Sequence, residues 1–404
     1  MNKKEIKWQK QVLKDFKKKS PSKIKIESKK IFKKYLVNHK NLFENNLKFP
    51  IEMFDKKKVL DLGCGTGEVD IVLSSFGAKC LGVDFNDISI DRANKLKKKY
   101  KIKNVNFKKS NIEDYKVKKN FYDISISFGV IAHVYSPENL FKKLVQSTKK
   151  NGYIILGYVE DAGLIQRLLH RAIIRKLKIS DDKKVFSFAK KLFKEHIARS
   201  IKFGLRSEEG IINDYLINQA YVGNSMRQIR GWEKKYKLKI YSKCPDASIP
   251  FRIDPGFQNH ELRANIKDEL FAISALRSIF AQKSDETIFY KMFKKKGNFI
   301  SPDINKFVVL LTKILQRKNN SLKNKELGKL KKFRTNISKK ILAQSEVIKN
   351  FSNKNYDLLS DEIINILIQI SKENFSFKTL GNKVKFLFRG YNGLGTTYII
   401  FKKK

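Results

Sequence analysis

Between residues 59 and 70 the chain reads VLDLGCGTGEVD, and few folds accommodate it. Two apolar residues run into an acid, and glycines then follow at positions 63, 65 and 67. The stretch reads as a short buried strand that turns sharply into a helix. Lacking Cβ atoms, Gly63, Gly65 and Gly67 let a ligand approach the main chain, and the helix start offers unpaired N–H donors. Many nucleotide folds do this, so the glycines alone discriminate little. Asp61 does discriminate: a pyrophosphate beside that carboxylate is repelled, whereas an ammonium and a sulfonium are attracted. Asp84 ends the next strand, KCLGVDF, where an acid accepts hydrogen bonds from both hydroxyls of a ribose. The implied ligand is a nucleoside with a cationic, amino-acid-like tail.

Downstream the pattern alternates. GEVDIVLSSFG reads as a helix closed by Gly77, and DISIDRANKLKKKY as a helix capped by Asp87. VNFKKSNI and YDISISFG are strands; SPENLFKKLVQSTKKNG is a helix with Ser136 as N-cap and Pro137 in its first turn; GYIILGYV is the next strand. Strands alternating with helices require crossovers, hence an α/β doubly wound, mostly parallel sheet covered on both faces. After Val159 the alternation stops, and AGLIQRLLHRAIIRKL and FAKKLFKEHIARSIKFG read as helices. SMRQIRGWEKKYK and LKIYSKCP resume a helix–strand pair, and the chain closes on VKFLFRGYNGLGTTYIIFKKK, a strand–turn–strand with Asn392 and Gly393 in the turn. The expected organisation is basic N-terminal helices over 1–54 and a ligand-binding core over 55–160. A helical insertion follows over 161–225, then a returning helix and strand over 226–257, a second insertion over 258–380, and final strands over 381–404.

Composition narrows the class. The net charge is +48, yet residues 59–159 carry only +7 of it, so +41 lies outside the segment that bears the motifs. Lys and Asn fill most surface positions while Arg is scarce, which reads as compositional drift; RNA or a membrane face is the alternative. A lysine-rich surface with few interleaved arginines and aromatics lacks the bidentate and stacking groups of specific nucleic-acid binders. Cys64, Cys80 and Cys244 are isolated, with no CxxC pair, which argues for a reducing compartment and against a disulfide framework or a metal site. The basic N-terminus has no apolar signal core, and FVVLLTKIL is too short to span a bilayer, so a soluble cytoplasmic protein is expected.

VLDLGCGTG, GVDFN, SNIEDY and FYDISISFGVIAHV resemble, in order and spacing, the motifs of class I S-adenosylmethionine-dependent methyltransferases. The small-molecule branch, which methylates quinones, sterols and similar metabolites, is the most similar group. The resemblance covers about residues 55–160 and implies a Rossmann-like core with an antiparallel last strand. It implies that Gly63, Gly65 and Gly67 line the methionine and ribose portions of S-adenosylmethionine, with Asp61 near the ammonium and Asp84 on the ribose. Asn111 and Ile112 then meet the adenine edge, Asn111 standing where the family usually has Asp. Phe128 and Gly129 follow the fourth strand and touch the methionine part. The resemblance also makes TTYIIFKKK the antiparallel strand and LKIYSKCP its neighbour.

Methyl transfer from a sulfonium is an in-line displacement, in which alignment and exclusion of water are worth about 7–11 kcal/mol. A base helps if the acceptor is a hydroxyl or a protonated amine. His133, just beyond the fourth strand, and His196, in the first helical insertion, are the candidates. Each has a rival role in fixing structure. Glu160 and Asp161 either bind a cationic acceptor or are solvated loop acids, Trp8 either lids the ligand or packs inside a helix layer, and Asp123 reads as structural. The sequence has no N/D-P-P-Y/F segment after the fourth strand and no cysteine nucleophile of the cytosine C5 type. The expected acceptor is therefore an O, N or C atom of a small molecule. Rival readings are an RNA or protein methyltransferase docking through the basic helical regions, and a scaffold that has lost its chemistry. The oligomeric state is not legible.

Overall fold

Side-chain alternation along β1 (Lys58–Leu62) sets the layering. Val59 is buried on one face of the sheet with Ile124, Ile126, Ile155 and Ile400. Leu60 and Leu62 are buried on the other with Ile154, Leu156, Ile399 and Phe401. A strand apolar on both faces belongs in the middle of a sheet covered on both sides. The computed structural model describes residues 3–19, 24, 26–177, 182–192, 197–198, 201, 205–217, 223–244, 301–315, 322–343, 353–376 and 396–404.

The other strands are β2 (Lys79–Asp84), β3 (Val105–Lys109), β4 (Tyr122–Phe128), β5 (Thr148–Val159), β6 (Leu238–Cys244) and β7 (Thr396–Lys403). Their order in the sheet is β3-β2-β1-β4-β5-β7-β6. Among the described strands only β7 runs against the rest, antiparallel to both β5 and β6. The expected pairing of the chain's last strand beside LKIYSKCP is therefore what the fold contains. Strand order reverses between β1 and β4, which opens a crevice at their carboxyl ends.

Helices α3 (Glu68–Ser75), α4 (Asp87–Lys99) and α5 (Pro137–Ser147) make the crossovers. Two local expectations fail. The cap of α4 is Asn86, whose Oδ1 accepts from Ile88 N at 3.1 Å, and Asp87 is already helical. α5 stops at Ser147 instead of running on to Gly152. Thr148 pairs in register with Tyr122, and its Oγ1 donates to Ser125 at 2.9 Å, so the sheet claims residues whose local pattern is helical. Asp123 is structural as expected, accepting from Lys58 N at 2.8 Å and Lys149 at 2.9 Å.

The N-terminal segment contributes α1 (Lys3–Lys19) and α2 (Lys29–Asn41). Phe43, Leu47, Phe49 and Phe54 follow and are completely buried against the Val59 face, which makes this stretch a layer of the core. After β5, α6 (Asp161–Lys176), α7 (Asp182–Leu192) and α8 (Glu208–Ile212) close a satellite core of Ile174, Val185, Ala189, Ile211 and Leu216. α9 (Met226–Lys235) returns to the sheet, placing Trp232 beside Phe141. In the second helical tract, α10 (Ser301–Leu315) packs on α6, and α12 (Asn353–Ser371) packs on α6 and α11 (Asn324–Ala343). The apolar FVVLLTKIL run belongs to α10, where Phe307, Val308, Leu311 and Ile314 are buried in protein. Among the described residues no helix is long and apolar enough to cross a membrane. His196 and the Asn392–Gly393 turn lie outside the described residues.

Candidate functional site

A cavity of about 670 Å³ occupies the crevice between the carboxyl ends of β1, β2 and β4. It gathers Asp61, Gly63, Gly65, Asp84, Asn111, Ile112, Phe128, Gly129 and His133, which lie far apart in sequence. α1 roofs it with Ile6, Gln9, Val12, Leu13 and Phe16. Gly67 is not in the lining. Its φ is +77°, and a Cβ there would stand 2.6 Å from Ala93 Cβ and 2.8 Å from the Phe107 ring. This glycine lets α3 start close against α4 and β3, and touches no ligand space. Gly67→Ala is expected to destabilise the fold by about 2–4 kcal/mol through strain and overpacking, read by urea unfolding.

Electrostatics concentrate at the strand tips. Asp84 is 8% exposed; its Oδ2 accepts from Gly65 N and its Oδ1 from Asn86 N, both at 2.9 Å. Burial raises its pKa against the pull of these backbone donors. Each oxygen keeps a second lone pair for a ligand hydroxyl. Asp61 is 2% exposed, and its Oδ1 has no hydrogen-bond partner among the described residues. Burial, then Asp70 and Asp84, push its carboxyl well above the usual carboxylate range. Beneath the glycine loop, Glu68 accepts from Ile24 N at 3.0 Å and from Thr66 Oγ1 at 2.6 Å, and Arg92 bridges Glu68 to Glu27. That network ties the α1–α2 connection to the loop.

At the opposite end, Asn111 Oδ1 accepts from Glu113 N at 3.0 Å, an Asx turn. Its Nδ2 donates to Gln9 Oε1 at 3.2 Å and Asp114 Oδ2 at 2.7 Å. An aspartate at 111 would set two carboxylates against each other here. Lys143 Nζ donates to the carbonyls of Ile112 and Tyr115, both at 2.9 Å, and so fixes the loop's shape. Gln9 also bonds Glu113, latching α1 down. Gln9 and Lys143 escape a sequence reading because their partners are distant and no local pattern marks them.

Phe128 and Gly129 form the wall at the end of β4. Gly129 has φ +73°, and a Cβ there would meet nothing within 4 Å, so it faces open space. The His133 ring sits edge-on to Phe16 at 4.9 Å, and its carbonyl accepts from Trp8 Nε1 at 2.8 Å. Trp8 therefore holds the roof to the β4 loop from outside the lining. Asp214, from the first helical insertion, lies within electrostatic range of His133. Burial opposes its ionisation, but Arg206, Arg167 and His133 outweigh that and hold its carboxyl well below the usual range. Asp214 carries no local sequence signal.

Glu160 and Asp161 are neither solvated nor part of the cavity lining. Glu160 Oε2 accepts from Tyr158 at 3.0 Å and Met226 N at 2.9 Å, and Asp161 Oδ2 from Asn305 at 3.0 Å. They fasten β5 and α6 to the helical layer, which the sequence alone does not reveal. Burial raises the Asp161 pKa to about 6. A folded-state pKa above the unfolded value favours the protonated form on folding, so stability is lost as pH rises from about 4 to about 6. Asp161→Asn is expected to remove this loss. Its urea stability relative to the parent should improve by about 3 kcal/mol between pH 4 and pH 7.

Residues 53–208 match a family model described as a methyltransferase domain. A ubiquinone biosynthesis O-methyltransferase of Rickettsia canadensis is 33% identical over 104 residues, 26% of this chain and 43% of that protein. Another, from Pelagibacter ubique, is 32% identical over 119 residues, 28% of this chain and 49% of that protein. The chain thus spans less than half the length of these relatives. Motif order, a sheet reversing beside a glycine loop, two buried acids at adjacent strand tips and the family match converge on one assignment. Residues 53–208 carry a region similar to methyltransferase domains, of the kind that uses S-adenosylmethionine.

Proposed function

We propose that this chain transfers the methyl group of S-adenosylmethionine to an oxygen atom of a small-molecule acceptor. One observation carries the reading: Asp61 and Asp84 stand at neighbouring strand tips of one cavity, Asp61 with an unpartnered oxygen and Asp84 with spare lone pairs. That donor set suits the cofactor. Asp61 meets its ammonium, Asp84 its ribose hydroxyls, Asn111 and Ile112 its adenine, and Phe128 and Gly129 its methionine portion. When bound, S-adenosylmethionine supplies an electrophilic methyl group on a positively charged sulfur. The chain's own residues align the partners and exclude water, with the apolar roof of Val12, Leu13 and Phe16 closing the cavity. His133 takes the proton from the acceptor hydroxyl, and Asp214 stabilises the imidazolium that results. Oxygen is favoured over nitrogen and carbon because the relatives above carry O-methyltransferase names.

Titration calorimetry with S-adenosylmethionine and with NAD tests the first step, and a metabolite panel scored by release of demethylated cofactor tests the second. Preference for NAD refutes the cofactor assignment. Turnover on RNA or protein, with none on hydroxylated metabolites, refutes the acceptor class.

A further inference from the structure

Asp70 is an acid in the first turn of α3, completely buried beneath the glycine loop. It does not line the cavity; Asp61, directly beside it, does. As two carboxylates neither side chain can donate, and Asp61 Oδ1 and both Asp70 oxygens are then orphaned. With a proton between them, the two carboxyls hydrogen-bond each other. Among the described residues the charged groups acting on the pair, Asp84 and Glu68, are themselves acids. Tyr35 of α2, Cys64 of the loop and Cys80 of β2 also lie within electrostatic range of the pair, and none of them is cationic. Arg92 of α4 is taken up by Glu68 and Glu27. Two buried carboxyls with no cation acting on them among the described residues retain a shared proton at neutral pH.

We propose that Asp70 is a positioning residue that holds Asp61 by a hydrogen bond, and that a ligand ammonium binds Asp61 with release of one proton to solvent. This rests on the cofactor reading above and deepens it. Burial pushes the Asp70 carboxyl up to about 8, and raises that of Asp61 as well. A positive charge beside Asp61 ionises it, while Asp70 keeps its proton and donates to the new carboxylate. Because free protein binds the extra proton, affinity rises with pH. The slope approaches tenfold per unit between pH 5.5 and 7, below the range where the ligand's own α-amino group titrates, about 7.7–8.0.

The test is calorimetry on the full chain at pH 6.5 in two buffers of different ionisation enthalpy, with S-adenosylmethionine and with 5′-methylthioadenosine. The second ligand keeps the nucleoside and lacks the amino-acid tail. Near one proton released with the first and none with the second supports the proposal. Asp70→Asn, whose amide donates to Asp61 permanently, should bind S-adenosylmethionine with little proton release and a flattened pH dependence. Binding without proton release, or equal release with both ligands, overturns the proposal and leaves the cofactor reading standing. Failure of both ligands to bind at any pH removes that reading and the inference together. Should the variant not fold, proton counting on the unaltered protein still decides.

Discussion

Removing residues 395–404 is expected to leave a chain that neither folds nor binds cofactor. β7 lies inside the sheet, registered against β5 from Tyr153↔Lys402 to Val159↔Thr396 and against β6 from Leu238↔Lys403 to Cys244↔Tyr398. Its loss leaves two strands with open edges and detaches β6. Ile399, Ile400 and Phe401 are all completely buried, Ile399 and Phe401 on one face of the sheet and Ile400 on the other. Truncating three such side chains alone costs about 7–15 kcal/mol, as much as a whole domain's stability. Lys403 adds donations to Val145 O and Thr148 O at 2.8 and 2.6 Å, which pin the strand to the end of α5. Circular dichroism and a thermal melt of the truncated chain check this. A cooperative transition with retained ligand binding would refute the topology.

Replacing Asp84 is expected to have the largest effect on binding of any single change in the cavity. The cofactor reading gives its carboxylate both ribose hydroxyls, charge-assisted bonds worth about 1.5–3 kcal/mol each. Asp84→Ala should therefore weaken S-adenosylmethionine binding at least about 100-fold. Part of the loss comes from the loop, since Gly65 N and Asn86 N lose their acceptor at the same time. Asp84→Asn separates the two contributions. Its remaining carbonyl oxygen can serve one backbone donor, so the loop is partly kept while the ribose contacts lose their charge. Calorimetry on both variants, with the melting temperature as a check on the loop, gives the split. Unchanged affinity in Asp84→Ala would move the ribose elsewhere in the cavity.

The core of the fold was legible because its signals are local. A short apolar strand, glycines without Cβ at its end and an acid at a strand tip each act within a few residues of themselves. Asp61, Asp84 and Gly63 could accordingly be set at the crevice from local pattern, and Gly129 from the resemblance. So could the antiparallel strand, once the resemblance supplied its topology. Where a residue's role depends on what crosses over it, the reading failed. Gly67 looked like its neighbours, yet it faces Ala93 and Phe107. Glu160 and Asp161 looked like loop acids, yet the helical layer buries them.

Sequence by itself determined the alternating strands and helices, the glycine turn and the two acids at strand ends, because backbone geometry and side-chain periodicity are short-range. Tertiary structure alone decided the roof and the electrostatics. Gln9 meets Asn111 across 102 positions, Arg92 joins Glu27 to Glu68, and Asp70 comes to rest against Asp61 with no cation between. The energy of a buried charge is set by everything that surrounds it, and a linear string does not carry that information.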